Sequence, residues 1–122
     1  ASILHLLGAE VHTIEYQKKL YEKTKKFMTK LGIHMHFYLG DGSQGIPEKA
    51  PFDKIIVTAG APVVPNSLLK QHKVGGILVI PVGDRKTQKM LKLTKKTATT
   101  IEQESFDNFA FVPLLGTEGW KG

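Results

Sequence analysis

The glycine-rich stretch GDGSQG, Gly40 to Gly45, follows the apolar run MHFYL and matches the G-x-G-x-x-G pattern of dinucleotide-binding loops. In such a loop a helix begins directly behind the glycines, and its N-terminus binds the pyrophosphate. Here the next residues are IPEKAPF, which contain Pro47 and Pro51 and show no helical period before a strand begins near Asp53. The match is therefore accidental, and the stretch is not predicted to bind a dinucleotide.

Two carboxylates are better candidates for chemistry. Glu15 ends the predicted strand EVHTIE, and Asp41 follows the predicted strand HMHFYL. Each has an ordinary explanation on its own, since Asp41 suits a glycine-rich turn and Glu15 suits the start of a helix. However, α/β sheets bind ligands at the carboxyl ends of their parallel strands. Together the two carboxylates predict a nucleoside site, in which one accepts hydrogen bonds from ribose hydroxyls and the other from the donor edge of a base.

The sequence offers little else that could do chemistry. His34 and His36 share one face of a predicted strand, but no cysteine and no third ligand at a convincing spacing accompanies them. No metal site is therefore predicted. No Ser/His/Asp arrangement is visible either, and no catalytic residue is predicted.

The composition is that of a single domain over residues 1–122, with 41% hydrophobic residues. No apolar run approaches the roughly 18 residues of a membrane span. The first residues, ASILHLLGAE, do not resemble a secretory leader, and the chain has no cysteine. A cytoplasmic protein that does not contact the membrane is therefore expected.

The net charge of +6 leaves a non-enzymatic nucleic-acid-binding domain open as an alternative. Most of the excess lies in residues 16–32, which contain Lys18, Lys19, Lys23, Lys25, Lys26 and Lys30. A lysine-rich helix face is usually a solvated surface. The chain has a single arginine, Arg85, whereas phosphate binding and base recognition usually rely on several. Nucleic acid is therefore not expected as a partner.

The pattern of apolar residues predicts an open α/β sheet with a largely parallel centre and an antiparallel C-terminal edge. The runs Ile55-Ile56-Val57 and GGILVIPVG are typical of strands buried on both faces. In the lysine-rich helix an apolar stripe is predicted at Leu20, Thr24, Phe27, Met28 and Leu31. The predicted elements are a helix over 1–7, a strand over 10–15, the lysine-rich helix over 16–32, strands over 34–39 and 53–60, a short helix over 65–72, a strand over 75–83, and an antiparallel pair from QKMLKLTKK and NFAFVPLLG.

Four segments, in order along nearly the whole chain, resemble protein-L-isoaspartate (D-aspartate) O-methyltransferases: LGAEVHTIE, GDGSQGIPEKAPFDKIIVTAGAPVVPNSLL, GGILVIPVGD and FVPLLGTEGW. The resemblance implies a Rossmann-like class I methyltransferase that uses S-adenosyl-L-methionine. Its expected reaction moves the sulfonium methyl group to the α-carboxylate of isoaspartyl residues in damaged proteins, which are then its partners. Another class I methyltransferase with a different acceptor remains an alternative, because the fold does not determine the acceptor.

The resemblance also implies roles for individual residues. Glu15 would hold the ribose hydroxyls, and Asp41 would contact the adenine. The cofactor-binding residues are then Glu15, Gly40, Asp41, Gly42, Thr58 and Ala59, and the substrate-binding residues are Ala61, Pro62, Phe111, Val112 and Pro113.

The family's first strand and its glycine-rich methionine-binding loop would lie before Ala1 and are absent from this chain. By the resemblance, that strand belongs between the strands of EVHTIE and DKIIVTA. The chain is therefore expected to be an N-terminally truncated methyltransferase domain, or to associate with itself through the gap. Ala110 also stands where many relatives have an arginine before FVPL, which weakens the case for carboxylate recognition there.

Overall fold

The computed structural model describes residues 6–121, which divide into a first unit that ends at Gly42 and a second unit that begins at Ser43. Residues 1–5 of the helix predicted over 1–7 lie outside this described part. None of the helices in the described part has the length and apolarity needed to span a membrane.

The first unit consists of two parallel strands joined by a helix, because parallel strands need a crossover connection. Strand β1 runs over His12–Glu15, helix α1 over Lys18–Lys30 and strand β2 over His36–Leu39. The strands pair in register from His12 with His36 to Glu15 with Leu39. These elements confirm the predicted strand, lysine-rich helix and strand, each with shorter bounds.

Helix α1 buries less of its apolar stripe than predicted. Thr24 and Met28 are half-buried beside Tyr21, but Leu20, Phe27 and Leu31 are 49%, 59% and 57% exposed. The apolar stripe of α1 is wider than the surface of the two strands on which it packs, because these strands are only about 4.8 Å apart. Only the arc of the helix that faces this strand pair is covered.

The second unit is built on a mixed sheet, which confirms the predicted α/β class. Its strands follow the order β3-β4-β5-β6, in which β3 pairs with β4 in parallel and the other pairs are antiparallel. The elements are β3 over Phe52–Ile56, α2 over Asn66–Gln71, β4 over His72–Gly83, β5 over Gln88–Lys95 and β6 over Ile101–Phe109, with short 3-10 turns at Gly42–Gln44 and Pro47–Lys49.

One continuous core holds this sheet together. Leu78 and Ile80 of β4 lie opposite Leu93 and Leu91 of β5 in the strand register. Leu68 of α2 packs in the same core. From Gly76 onward β4 has no exposed residue, but Ile77, Val79 and Val82 are half-buried, so the prediction of a strand buried on both faces is confirmed in part.

The same prediction is wrong for β3. Ile56 is 51% exposed, and the strand ends there rather than at residue 60. Among residues 6–121, β1 pairs with β2 alone and β3 pairs with β4 alone. Side chains of a strand point to the two faces of the sheet, and the described residues leave the face that carries Ile56 largely uncovered.

The C-terminal hairpin is antiparallel as predicted, but its second arm is wrong by several residues. The arm is Ile101–Phe109 instead of NFAFVPLLG. The chain reverses tightly after β5, where the Lys96 N–H donates to the Thr100 carbonyl over 2.9 Å, so the pairing begins at once. Every residue of β6 is exposed, and its polar sequence therefore lacks the apolar alternation that marks a strand.

His72 is a buried titratable group at the junction of α2 and β4. It is 1% exposed, and its Nε2 lies 3.1 Å from the Gly76 carbonyl, while Nδ1 has no hydrogen-bond partner among the described residues. Burial, with a smaller contribution from the charge of Lys95, lowers the pKa of His72 below its ordinary value of 6.5. Above pH 6.5 the native protein therefore holds this imidazole neutral.

We predict that His72 makes the second unit sensitive to acid. Between its lowered native pKa and the ordinary value of 6.5, the unfolded chain binds a proton that native His72 does not, so the free energy of unfolding falls as pH decreases through this window. Urea unfolding measured between about pH 7.5 and about pH 5.5 should show a smaller decrease for His72→Gln than for the unchanged protein. The exposed His34→Gln is the control, and equal decreases in both variants would contradict the prediction.

Candidate cofactor and substrate sites

In the first unit, the predicted carboxylates follow the carboxyl ends of adjacent parallel strands. Glu15 is the last residue of β1 and pairs with Leu39, the last residue of β2. The Gly40 N–H donates to the Glu15 carbonyl over 2.9 Å, so the turn that carries Asp41 begins beside Glu15. The structure therefore brings Glu15 and the turn Gly40–Gly42 together at one edge of the strand pair.

The carboxylate of Glu15 also marks the approach to helix α1. Its Oε1 accepts a hydrogen bond from the Gln17 N–H over 3.1 Å, just before the helix begins at Lys18. This is the helix-start role that the sequence left open. A carboxylate offers about four lone-pair positions, so one bond to Gln17 leaves acceptor capacity for a ligand.

The glycines on either side of Asp41 let the turn lie directly on the strand. A Cβ atom at Gly42 would be 3.3 Å from Ile14 Cγ2, and one at Gly40 would be 3.8 Å from Ile14 Cδ1. The turn backbone thus packs on the Ile14 side chain, which positions Asp41 at the strand ends.

A cavity beside Glu15 in the first unit is too small for a nucleoside. It has a volume of about 60 Å³ and lies between α1 and the strands, with Thr13, Glu15, Tyr21, Thr24, Met28, Met35, Phe37 and Tyr38 as its lining. Ligand pockets usually measure about 300–1,000 Å³. Asp41 is not part of this lining, so a nucleoside held by both carboxylates would lie outside the cavity, at the strand ends.

The second half of GDGSQG belongs to the second unit and anchors its loops. The Gln71 carboxamide accepts from the Ile46 N–H over 2.8 Å and donates to the Gln44 carbonyl over 2.7 Å. Gly45 lies between these residues with a φ of +66°, and a Cβ atom there would be 2.7 Å from Gln71 Cδ. Glycine is thus required at position 45, because the backbone has a positive φ and Gln71 leaves no room for a side chain. No α-helix follows it before β3, which confirms that the stretch is not a dinucleotide loop.

The loop behind β3 is held between β4 and the C-terminal segment. The Gly60 N–H donates to the Val112 carbonyl over 2.7 Å, and the Leu114 N–H donates to the Gly60 carbonyl over 2.8 Å. On the other side, the Ala61 N–H donates to the Pro81 carbonyl over 2.8 Å. The predicted residues of this unit, which lie in 58–62 and 111–113, are thereby brought together.

These residues differ in what they expose. Thr58, Val112 and Pro113 are exposed, and Ala59, Pro62 and Phe111 are half-buried. Ala61 has no exposed surface and packs in the core, so its side chain serves packing and only its backbone position bears on the site. The sequence predicts no role for Trp120. In the structure its Nε1 donates to the Gly60 carbonyl over 3.0 Å and supports the same loop.

Gln88 is a supporting residue that the sequence analysis missed. It is 2% exposed, its Nε2 donates to the Asp84 carbonyl over 2.6 Å, and its Oε1 accepts from the Phe111 N–H over 2.8 Å. No sequence signal marks it, because most residues of β5 (QKMLKLTK) are polar and Gln88 is out of step with the alternation that buries Leu91 and Leu93. Nearby, bonds from the Thr87 and Lys86 N–H groups to Asp84 Oδ1 lower the pKa of that carboxyl and close the turn before β5.

Comparison with known proteins identifies the family. The sequence profile described as protein-L-isoaspartate(D-aspartate) O-methyltransferase matches residues 1–119. The chain belongs to this family. A protein-L-isoaspartate O-methyltransferase of Cytophaga hutchinsonii is 57% identical over 119 residues, which are 98% of this chain and 54% of that protein. The chain therefore spans about half the length of the curated relatives it matches.

Solved methyltransferase structures share the fold. A protein-L-isoaspartate O-methyltransferase superposes with a TM-score of 0.78 at 32% identity and covers 87% of this chain and 34% of its own. A Plasmodium falciparum protein described as a putative protein-L-isoaspartate O-methyltransferase in complex with S-adenosyl-L-homocysteine has a TM-score of 0.74 at 24% identity. It covers 93% of this chain and 56% of its own, and at this identity it shows the fold alone.

We predict that Gly45→Ala destabilises the protein more than Gly75→Ala. Both glycines have a positive φ, +66° and +85°, so each alanine costs about 1–2 kcal/mol in backbone strain. At Gly45 the new methyl group also displaces Gln71 from its two hydrogen bonds, which adds about 1–3 kcal/mol. At Gly75 a Cβ atom meets nothing within 4 Å. Equal losses in urea unfolding would show that the Gln71 contact does not matter.

We also predict that Gln88 holds the segment at 111–113. Gln88→Leu leaves the Phe111 N–H and the Asp84 carbonyl without this partner and costs about 1–3 kcal/mol. Amide hydrogen exchange at Phe111 should become faster, whereas the exposed Gln103→Leu on β6 should leave it unchanged. Unchanged exchange at Phe111 in Gln88→Leu would refute this role.

Proposed function

We propose that this chain provides the adenosine-binding strand ends and the peptide-bordering loop of a methyltransferase that repairs isoaspartyl residues. The observation that carries the proposal is the pairing of β1 and β2 in parallel register, with Glu15 and the Asp41 turn at their carboxyl ends. Because α/β sheets bind ligands at the carboxyl ends of their parallel strands, this arrangement supports a nucleoside site in a chain of this family.

The residues at the strand ends fit the adenosine of S-adenosyl-L-methionine. Ribose hydroxyls and the adenine amino group are hydrogen-bond donors, and carboxylates are acceptors. Gly40 and Gly42 pack against Ile14, which holds the turn that carries Asp41 at the strand ends. Glu15 would accept from the ribose, and Asp41 would accept from the adenine.

The chemistry needs no protein nucleophile. The bound cofactor supplies an activated methyl group on its sulfonium, and the acceptor is a carboxylate, which is ionised near pH 7 because its ordinary pKa is about 4. The protein has to align the carboxylate with the methyl group and exclude water. Thr58 and Ala59 would lie beside the methyl donor.

The segment at 111–113 would border the substrate peptide. Val112 is 70% exposed, and its neighbour Phe111 lies 6.2 Å from Phe109, measured between ring centroids. An isoaspartyl peptide would pack its backbone and apolar side chains against this surface. Ala61 and Pro62 belong to the loop behind β3, which would border the peptide opposite the segment at 111–113.

Two strand edges in the described residues are open to a partner strand. The unpaired edges of β1 and β3 in the described part of the chain are templates for an added strand. We propose that either another segment of the same protein or a second copy of the chain fills them. The cytoplasmic location expected from the lack of cysteine stays a prediction.

The decisive experiment measures methyl transfer in the protein that carries these residues. Labelled S-adenosyl-L-methionine should label an isoaspartyl peptide and leave the aspartyl peptide of the same sequence unlabelled. Labelling of the two peptides to the same extent would indicate a different acceptor. In calorimetry, Glu15→Ala and Asp41→Ala should each weaken binding of S-adenosyl-L-homocysteine by about 5- to 150-fold, because each removes a charged acceptor.

Glu22→Ala is the matched control for these variants. Glu22 is an exposed carboxylate on α1 of the same unit, so its loss changes the charge equally and should leave the affinity unchanged. Unchanged affinity in both the Glu15 and Asp41 variants would refute the nucleoside site. Equal weakening in all three variants would show a nonspecific effect of charge.

A further inference from the structure

The amino ends of β1 and β2 carry a pair of histidines that the sequence does not bring together. His12 and His36 are direct partners in the parallel register. Side chains at such positions point to the same face of the sheet, from strands about 4.8 Å apart. The two imidazole rings accordingly stack, with centroids 4.4 Å apart and an interplanar angle of 10°.

A carboxylate completes this pair. Glu10 Oε1 lies 3.6 Å from His12 Nε2 and 3.4 Å from His36 Nε2. One ligand atom from each of the three residues lies within 4.8 Å of the other two. Two ligands bound tetrahedrally to Zn²⁺ at about 2.0–2.1 Å are separated by about 3.3 Å, so the glutamate already has suitable distances to both nitrogens.

Tyr38 orients the less exposed histidine. His12 Nδ1 lies 3.1 Å from the Tyr38 hydroxyl, and the His12 side chain is 13% exposed. When Nδ1–H donates to this hydroxyl, Nε2 presents its lone pair on the side of Glu10 and His36. Metal-binding histidines are usually held in this way, with the second ring nitrogen hydrogen-bonded to a fixed group.

The other two side chains have room to adjust around an ion. The His36 and Glu10 side chains are 51% and 78% exposed, so the His36 ring can turn from its stacked position until its lone pair converges with that of His12. Two imidazoles and one carboxylate are a ligand set that suits Zn²⁺, with water in the fourth position.

We propose that Glu10, His12 and His36 bind one Zn²⁺ ion and clip together the amino ends of β1 and β2. The site lies at the opposite end of β1 from Glu15, about 10 Å away along the strand. Its role is therefore structural, and it does not depend on the proposed methyl transfer. His34, which the sequence paired with His36, is not part of this cluster.

Zinc binding can be tested on the untagged protein after treatment with a chelator. Calorimetric titration with Zn²⁺ should give one site per chain, and His36→Gln and Glu10→Gln should each weaken it at least tenfold. Tyr38→Phe removes the group that orients His12 and should weaken binding by about 10-fold or more. The exposed His34→Gln is the matched control and should bind as the unchanged protein does.

A second measurement separates a clip from surface binding. Saturating Zn²⁺ should raise the midpoint of thermal unfolding of the unchanged protein and of His34→Gln, because the ion binds the native state preferentially. It should not raise the midpoint of His36→Gln. The absence of a one-to-one site, or equal weakening by His34→Gln and His36→Gln, would overturn the proposal.

Discussion

The parallel, in-register pairing of β1 with β2 is the constraint on which the first unit depends. It places Glu15 beside the turn of Gly40 at the carboxyl ends, and it places His12 opposite His36 at the amino ends. One short ladder thus creates two chemically different ends, because neighbouring parallel strands begin together and end together. The acidic end carries the acceptors of the proposed nucleoside site, and the other end carries the imidazoles of the proposed zinc site.

Hydrogen bonds hold the loop behind β3 and the C-terminal segment of the second unit in place. The backbone at Gly60 and Ala61 bonds to Val112 on one side and to Pro81 on the other. Gln88 and Trp120 secure the same region from the side, through the Phe111 N–H and the Gly60 carbonyl. Since these polar groups are satisfied within the protein, the exposed side chain of Val112 keeps a defined position.

Local patterns explain how much of the fold could be predicted. The apolar run GGILVIPVG predicts a buried strand, and β4 has no exposed residue from Gly76 onward. The polar arm β6 carries no such signal, because a strand that is exposed along its whole length does not need apolar residues. Ile56 is the opposite case, since an apolar residue in a strand-like run remains exposed where no described strand or helix covers it.

The sequence by itself determined the order of the elements, the family and the carboxylates at the strand ends, because these follow from neighbouring residues along the chain. Only the tertiary structure decided that Gln88 supports the segment at 111–113, and that Glu10 and His12 meet His36. Such contacts join residues far apart in the chain, and their geometry depends on strand register. Strands β1 and β2 are joined by a helix and not by a tight turn that would fix their register, so the residues of either strand alone do not show which ones lie opposite each other.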